Sequence, residues 1–286
     1  MSLDSQKYRA RHYFRASEVS ALLDRHCKYR RKKDEIITYI QRQHPRLKGY
    51  LPEGYQENTA SRAIITDKLK SSVGTDAKMN ESDILELAKK VPVVNYYTGP
   101  AVVEKKKKKP AKDLPKILQD LQDSPPKRKK RKLDMQLGAV RCAIGITREK
   151  QAMLKYCKQR EESIGDEDVP VRGTFTTSVN KIPYVISGRL DFMDSNENVI
   201  EVKNRAHCWM LPQYDLDQCA IYSILTGKDT KLVQQNTKLG KDHQVMIADL
   251  AHDWLKTRWE TVLKPGLDTL VESLEECYSK IILEAK

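Results

Sequence analysis

Apolar residues recur at two periods along this chain, and the change of period divides it. From 136 to 160 they fall at helical spacing. Three runs then alternate at the period of a strand: VRGTFTTSV (171–179), IPYVISGRLDFM (182–193) and NVIEVKN (198–204). Asn180-Lys181 and residues 194–197 separate them as short turns, which predicts an antiparallel meander. A helix over 213–226 should end at Gly227, with short strands near 230–235 and 244–249 and a long helix over 251–283. Upstream, RASEVSALLDRHCKY predicts a helix with Ser17 as its N-cap, and KYRRKKDEIITYIQRQ a second one. Prolines and glycines mark 46–58 as a loop, and weaker helical patterns follow near 59–71 and 80–91. From about 104 to 135 four prolines, few apolar residues and two lysine-rich blocks predict a mobile basic linker or surface insertion. The resulting division is 1–50, a basic helical part; 51–103, a helical insertion of unassigned role; 104–135, the linker; and 136–286, an α/β core with a central mixed sheet flanked by helices.

Composition supports a folded core, since 39% of the 286 residues are apolar. No apolar run is long enough for a membrane span, and the first residues lack the apolar stretch of a secretory signal. The six cysteines form no CxxC pair; reduced, buried thiols are expected rather than a structural zinc site. The net charge of +13 points to a polyanion, with nucleic acid the first candidate. It is unevenly placed: residues 1–50 hold 13 basic and 5 acidic side chains, residues 104–132 hold 13 and 4, and residues 133–286 hold 20 and 23. PPKRKKRKLD reads as a nuclear-import signal, with a non-specific phosphate-binding tail as the alternative.

The slightly acidic half carries the chemistry. On the last strand of the meander Val199, Glu201 and Lys203 share one face, with Ile200 and Val202 on the other. On the preceding strand Ser187, Arg189 and Asp191 share a face, opposite Tyr184, Ile186, Leu190 and Phe192. One register therefore places Asp191 beside Glu201 and Lys203. Two carboxylates and an ammonium on one sheet face suit a hard divalent cation, Mg²⁺ or Mn²⁺, acting on a phosphate ester. The plainer reading is a set of surface cross-strand pairs. Against that, VIEVK is apolar on both sides of Glu201, and Glu149 lies on the small, apolar face of its helix with Gly145, Ala152, Met153 and Tyr156.

Gly145…Glu149, GRLDF (188–192), EVK (201–203) and QCAIY (218–222), in that order, resemble the motif series of PD-(D/E)xK nucleases. The pattern is similar to the RecB, YqaJ and phage lambda exonuclease branch, with ten residues from Asp191 to Glu201 and a QxxxY helix afterwards. RASEVSALL also resembles the first helix of YqaJ-like exonucleases. The likeness covers about 14–30 and 136–250 and leaves 45–135 unmatched.

The resemblance implies a restriction-endonuclease-like core. Asp191, Glu201 and the Val202 carbonyl would be metal ligands, and Glu149 would complete a second metal site. Lys203 would position or activate water, while Gln218 and Tyr222 would face the DNA backbone. Arg15 and Ser17 match the region that touches a terminal phosphate, although helix capping explains Ser17 equally well. Trp209 is a base-stacking or core residue. No iron–sulfur cluster is expected, because only Cys277 lies beyond Tyr222. The implied activity is a Mg²⁺-dependent 5′–3′ exonuclease on duplex DNA ends, in recombination, repair or replication. A structure-specific endonuclease, an RNase of the same fold, or an inactive nucleic-acid-binding protein are the alternatives. Homo-oligomers and monomers are both compatible. With an import receptor as partner the location would be nuclear, fitting a eukaryotic virus or mobile element; otherwise it would be cytoplasmic.

Overall fold

The computed structural model describes residues 12–25, 32–44, 47, 50–51, 86, 115–122, 132–205, 211–236 and 244–283. Within them a mixed six-stranded sheet is flanked by helices, as the α/β reading predicts. The strand Pro183–Asp194 (β3) organises it. On one edge β3 pairs antiparallel with Ile164–Thr176 (β2) along its length. The other edge is shared by two strands. His12–Arg15 (β1) runs parallel to Tyr184–Ser187, and Val199–Arg205 (β4) pairs antiparallel only at Phe192 and Met193. Thr230–Asn236 (β5) then lies parallel to β4, and Met246–Leu250 (β6) antiparallel to β5. The meander and the two later strands are thus as expected. β1 is not: its four residues fall in a stretch whose period gives no strand.

Helices cover both sides. Lys132–Arg160 (α4) packs Ala152, Met153 and Tyr156 against Phe192, Ile200, Val202 and Val233. The opposite side is covered by Ala16–Leu22 (α1), Lys32–Gln43 (α2), Lys116–Gln122 (α3), Gln213–Thr226 (α5) and the C-terminal helix. Phe14, Tyr184, Ile186, Leu190, Val199 and Leu232 meet them there. Leu190 and Phe192 therefore pack on opposite sides, which corrects the strict alternation expected of β3. The partner strand bends with it: Asp168, between Glu167 and Val169, has φ 57°, a left-handed backbone that breaks the two-residue period.

Other departures have local causes. Ser17 is exposed in the second helical position and is not the N-cap; Glu18 reaches back instead, accepting the Arg15 N–H at 2.8 Å. The linker reading fails for α3, whose Leu118 and Leu121 are buried in the main core. The two weak helices and the lysine blocks lie almost wholly outside the described residues, as does Trp209. Gly227 ends α5 at φ 71°, as its position predicts. The C-terminal helix runs His252–Arg258 (α6), a π-helical turn Trp259–Leu263, Lys264–Cys277 (α7) and a second π turn Tyr278–Leu283. Pro265, which has no N–H to donate, accompanies the first π turn.

A buried carboxylate locks this side together. Asp217 accepts from Ser20 Oγ at 2.8 Å, Arg25 Nε at 3.0 Å and Arg258 Nη2 at 2.6 Å, joining α1, α5 and α6. Leaving any of these cations without Asp217, or Asp217 without them, would strand a charge at low dielectric.

Candidate active site

The shared edge of β3 has a gap. β1 pairs as far as Ser187 and β4 begins at Phe192, so residues 188–191, the GRLD of the motif, face neither strand. Side chains fill in for the missing ladder. Tyr222 Oη donates to the Arg189 carbonyl at 2.9 Å. Asp191 Oδ2 accepts the Val202 N–H at 2.7 Å, bridging the fork from β3 to β4. The absent side chain of Gly188 lets the Tyr222 ring approach, since a Cβ there would meet the ring and Ala16.

Glu201 and Lys203 project from β4 toward α5, as their shared face predicts. Lys203 Nζ is bonded to Glu201 Oε1 and donates to Gln218 Oε1 at 3.3 Å. Gln218 Nε2 in turn donates to Tyr222 Oη at 3.1 Å. The QxxxY pair is therefore turned onto the sheet, where it links the lysine to the β3 edge; Tyr222 is buried. Glu201 is 1% exposed, and its Oε2 has no hydrogen-bond partner among the described residues.

Burial, with the Asp191 charge adding to it, pushes the Glu201 carboxyl up to about 8 against the pull of Lys203. Burial likewise raises Asp191, opposed by Lys203 and the Val202 N–H. For Lys203 burial favours the neutral amine, but Glu201, Asp191 and Asp215 outweigh it and hold it protonated.

The sequence reading missed two members of this cluster. Asp215, in the first turn of α5 and wholly buried, is bonded to Arg205, which follows Lys203 on the same face of β4. The Arg205 guanidinium lies 5.3 Å from the Tyr214 ring centroid. The available signal was QYDLDQ, two acids inside an otherwise apolar helix. At the fork Glu201, Lys203, Gln218 and Tyr222 therefore form one bonded chain, on which Asp191 and Asp215 act through their charge.

Glu149 is half-buried on α4, in the stretch that contacts β4 through Asn204 Nδ2, which donates to the Gly145 carbonyl at 2.8 Å. Among the described residues no three His, Cys, Asp or Glu side chains gather into a cation-holding group, so Glu149 does not join Asp191 and Glu201 as a third carboxylate. Arg15 and Ser17 are both exposed at the start of α1.

No protein-family profile and no curated protein matches this chain. Among solved structures it is similar to the alkaline exonuclease LHK-Exo from Laribacter hongkongensis, with TM-score 0.36 and 18% identity over 48% of this chain and 71% of that one. The complex of LHK-Exo with dAMP gives TM-score 0.34 and 19% identity over the same shares.

Proposed function

We propose that this protein is a divalent-metal-dependent nuclease, a 5′–3′ exonuclease on duplex DNA ends. The observation that carries the reading is the unpartnered Glu201 Oε2, buried beside Asp191 in the gap where β1 and β4 part from β3. A carboxyl driven toward protonation by burial and by a like charge is one that a divalent cation relieves. Its donor set is hard oxygen, which suits Mg²⁺ or Mn²⁺. Asp191, Glu201 and the Val202 carbonyl would hold the cation. When bound, the cation supplies the positive charge that a phosphodiester needs as negative charge builds on its oxygens.

The protein's own groups do the rest. Lys203, bonded to Glu201 and Gln218, would position or activate the attacking water. Gln218 and Tyr222 fix the lysine and the 188–191 edge against each other, so that Asp191 and Glu201 keep their spacing. The basic segments 1–50 and 104–132 grip the substrate, and KRKKRK at 127–132 directs import if the host is eukaryotic.

The test is digestion of end-labelled linear duplex beside closed circular DNA, with Mg²⁺, Mn²⁺ or EDTA. Cleavage of the linear duplex only, requiring metal and lost in Asp191→Ala and Lys203→Ala, is expected. Absence of Mg²⁺- or Mn²⁺-dependent cleavage refutes the nuclease assignment, and cleavage that survives EDTA or either substitution refutes the metal-dependent site. Degradation of the circle refutes the exonuclease part of the assignment.

A further inference from the structure

The exposed face of β1, β2 and β3 lies outside both apolar clusters, and the strand registers bring three arginines together on it. Arg15 pairs with Ser187, and Ser187 with Arg172, so the two arginines flank one serine across three adjacent strands. Neighbouring strands lie about 4.8 Å apart, which sets the two arginine backbones about 10 Å from each other. Arg189 follows Ser187 by two residues on the same face, about 7 Å further along β3. All three side chains are exposed, Arg189 at 63%.

Each guanidinium on β2 and β3 is already steered. Arg172 lies over the Tyr13 ring at 5.8 Å from its centroid, and Tyr13 pairs with Val185 in the adjoining row. Arg189 is bonded to Asp168, whose charge is felt by the Asp191 carboxyl. The row therefore runs from Arg15 and Arg172 through Arg189 to Asp168 at the edge of the gap. Asp168 and Arg189 are both largely exposed, and an exposed ion pair of this kind is worth little, so a phosphate can take the carboxylate's place at low cost.

We propose that Arg172 and Arg189, with Arg15 and the Tyr13 ring, form a track for the phosphate backbone of a DNA strand leading to Asp191. Arg189 exchanges Asp168 for a phosphate as the strand arrives. The track rests on the nuclease reading for its direction, since it is the gap at Asp191 that gives it an end.

The test uses the full chain in EDTA, so that no cleavage occurs, and a 20-base-pair 3′-labelled duplex followed by fluorescence anisotropy over a salt series. Each phosphate contact contributes about 0.9 to the slope of log K against log salt. Arg172→Gln and Arg189→Gln should each lower that slope by about one, and Arg172→Lys and Arg189→Lys should restore it. Arg160→Gln, which removes an arginine paired with Asp249, should leave it unchanged. Unchanged slopes in both glutamine variants overturn the track. A loss that lysine does not restore also overturns it, since it marks a structural role. These readouts need no metal, so failure of the track and failure of metal-dependent cleavage are separately visible.

Discussion

Replacing Gly188 by alanine should destabilise the protein and injure the site through one ring. A Cβ at 188 would lie inside 3.0 Å of Tyr222 Cε1, and 3.2 Å from both Tyr222 Cζ and Ala16 Cβ. Ala16 is on α1 and Tyr222 on α5, and both are buried, so neither neighbour has room to retreat. Overpacking of this kind costs about 1–3 kcal/mol. If the ring moves, the Tyr222 bond to the Arg189 carbonyl goes too, for about 1 kcal/mol more. Alanine regains about 0.5–1 kcal/mol by restricting the unfolded chain. The net loss is about 1–3 kcal/mol, or a melting temperature lower by roughly 3–10 °C for a fold of this size. Thermal melts in EDTA read this directly. Tyr222→Leu opens the space, so in that background Gly188→Ala should cost less than about 0.5 kcal/mol, an interaction that a double-mutant cycle isolates. An unchanged melting temperature in the single variant, or an equal penalty in both backgrounds, would refute the close approach as the reason for glycine.

Two further outcomes follow from other parts of the fold. His44 is buried between His12, Tyr39 and Tyr278, with Glu275 close by, and burial with the His12 charge lowers its pKa to about 3. Because the unfolded chain takes up this proton first, near pH 6.5, stability is complete above that pH and falls as the pH drops toward 3. The His44 contribution, read in urea melts as the difference between wild type and His44→Asn, should fall by about 2 kcal/mol between pH 7 and 5; a difference that stays level over that range contradicts the burial argument. Replacing the six basic residues 127–132 with glutamine should abolish nuclear accumulation of a fluorescent fusion while the melting temperature stays within about 2 °C. Leu118→Ala, in the same segment, should cost about 2–5 kcal/mol and leave import intact; retained import in the glutamine variant removes the signal reading.

What could be read without coordinates was what short-range pattern encodes. Alternation in β3 and β4, the turn at 194–197 and Gly227 place Asp191, Glu201, Lys203, Gln218 and Tyr222 on the right elements. The switch of sides between Leu190 and Phe192 could not be read, because a period-two pattern simply continues through it. The left-handed Asp168 that accompanies it sits on another strand. β1 was invisible because HYFR alternates over only four residues and its partner is about 170 positions away. Asp215 and Arg205 meet by folding alone, one at the end of a strand and the other in the first turn of a helix. In α3 a local excess of lysine and proline masked two leucines that the core needs.

The division of the β3 edge also has a timetable. β1 is made early, yet it is bound to strands near 185, and His12 is tied to Glu275 by a 3.1 Å contact. Arg25 and Ser20 reach Asp217, which also needs Arg258. Contacts of such separation close slowly, because the intervening chain must be gathered before any of them is rewarded. At about 5–20 residues per second, the ribosome takes roughly 12–50 s to pass from β1 to Glu275. Until Arg258 and Glu275 have been made, neither the Asp217 clamp on α5 nor the tie from His12 can close. β1 is therefore secured only once the C-terminal helix has been made.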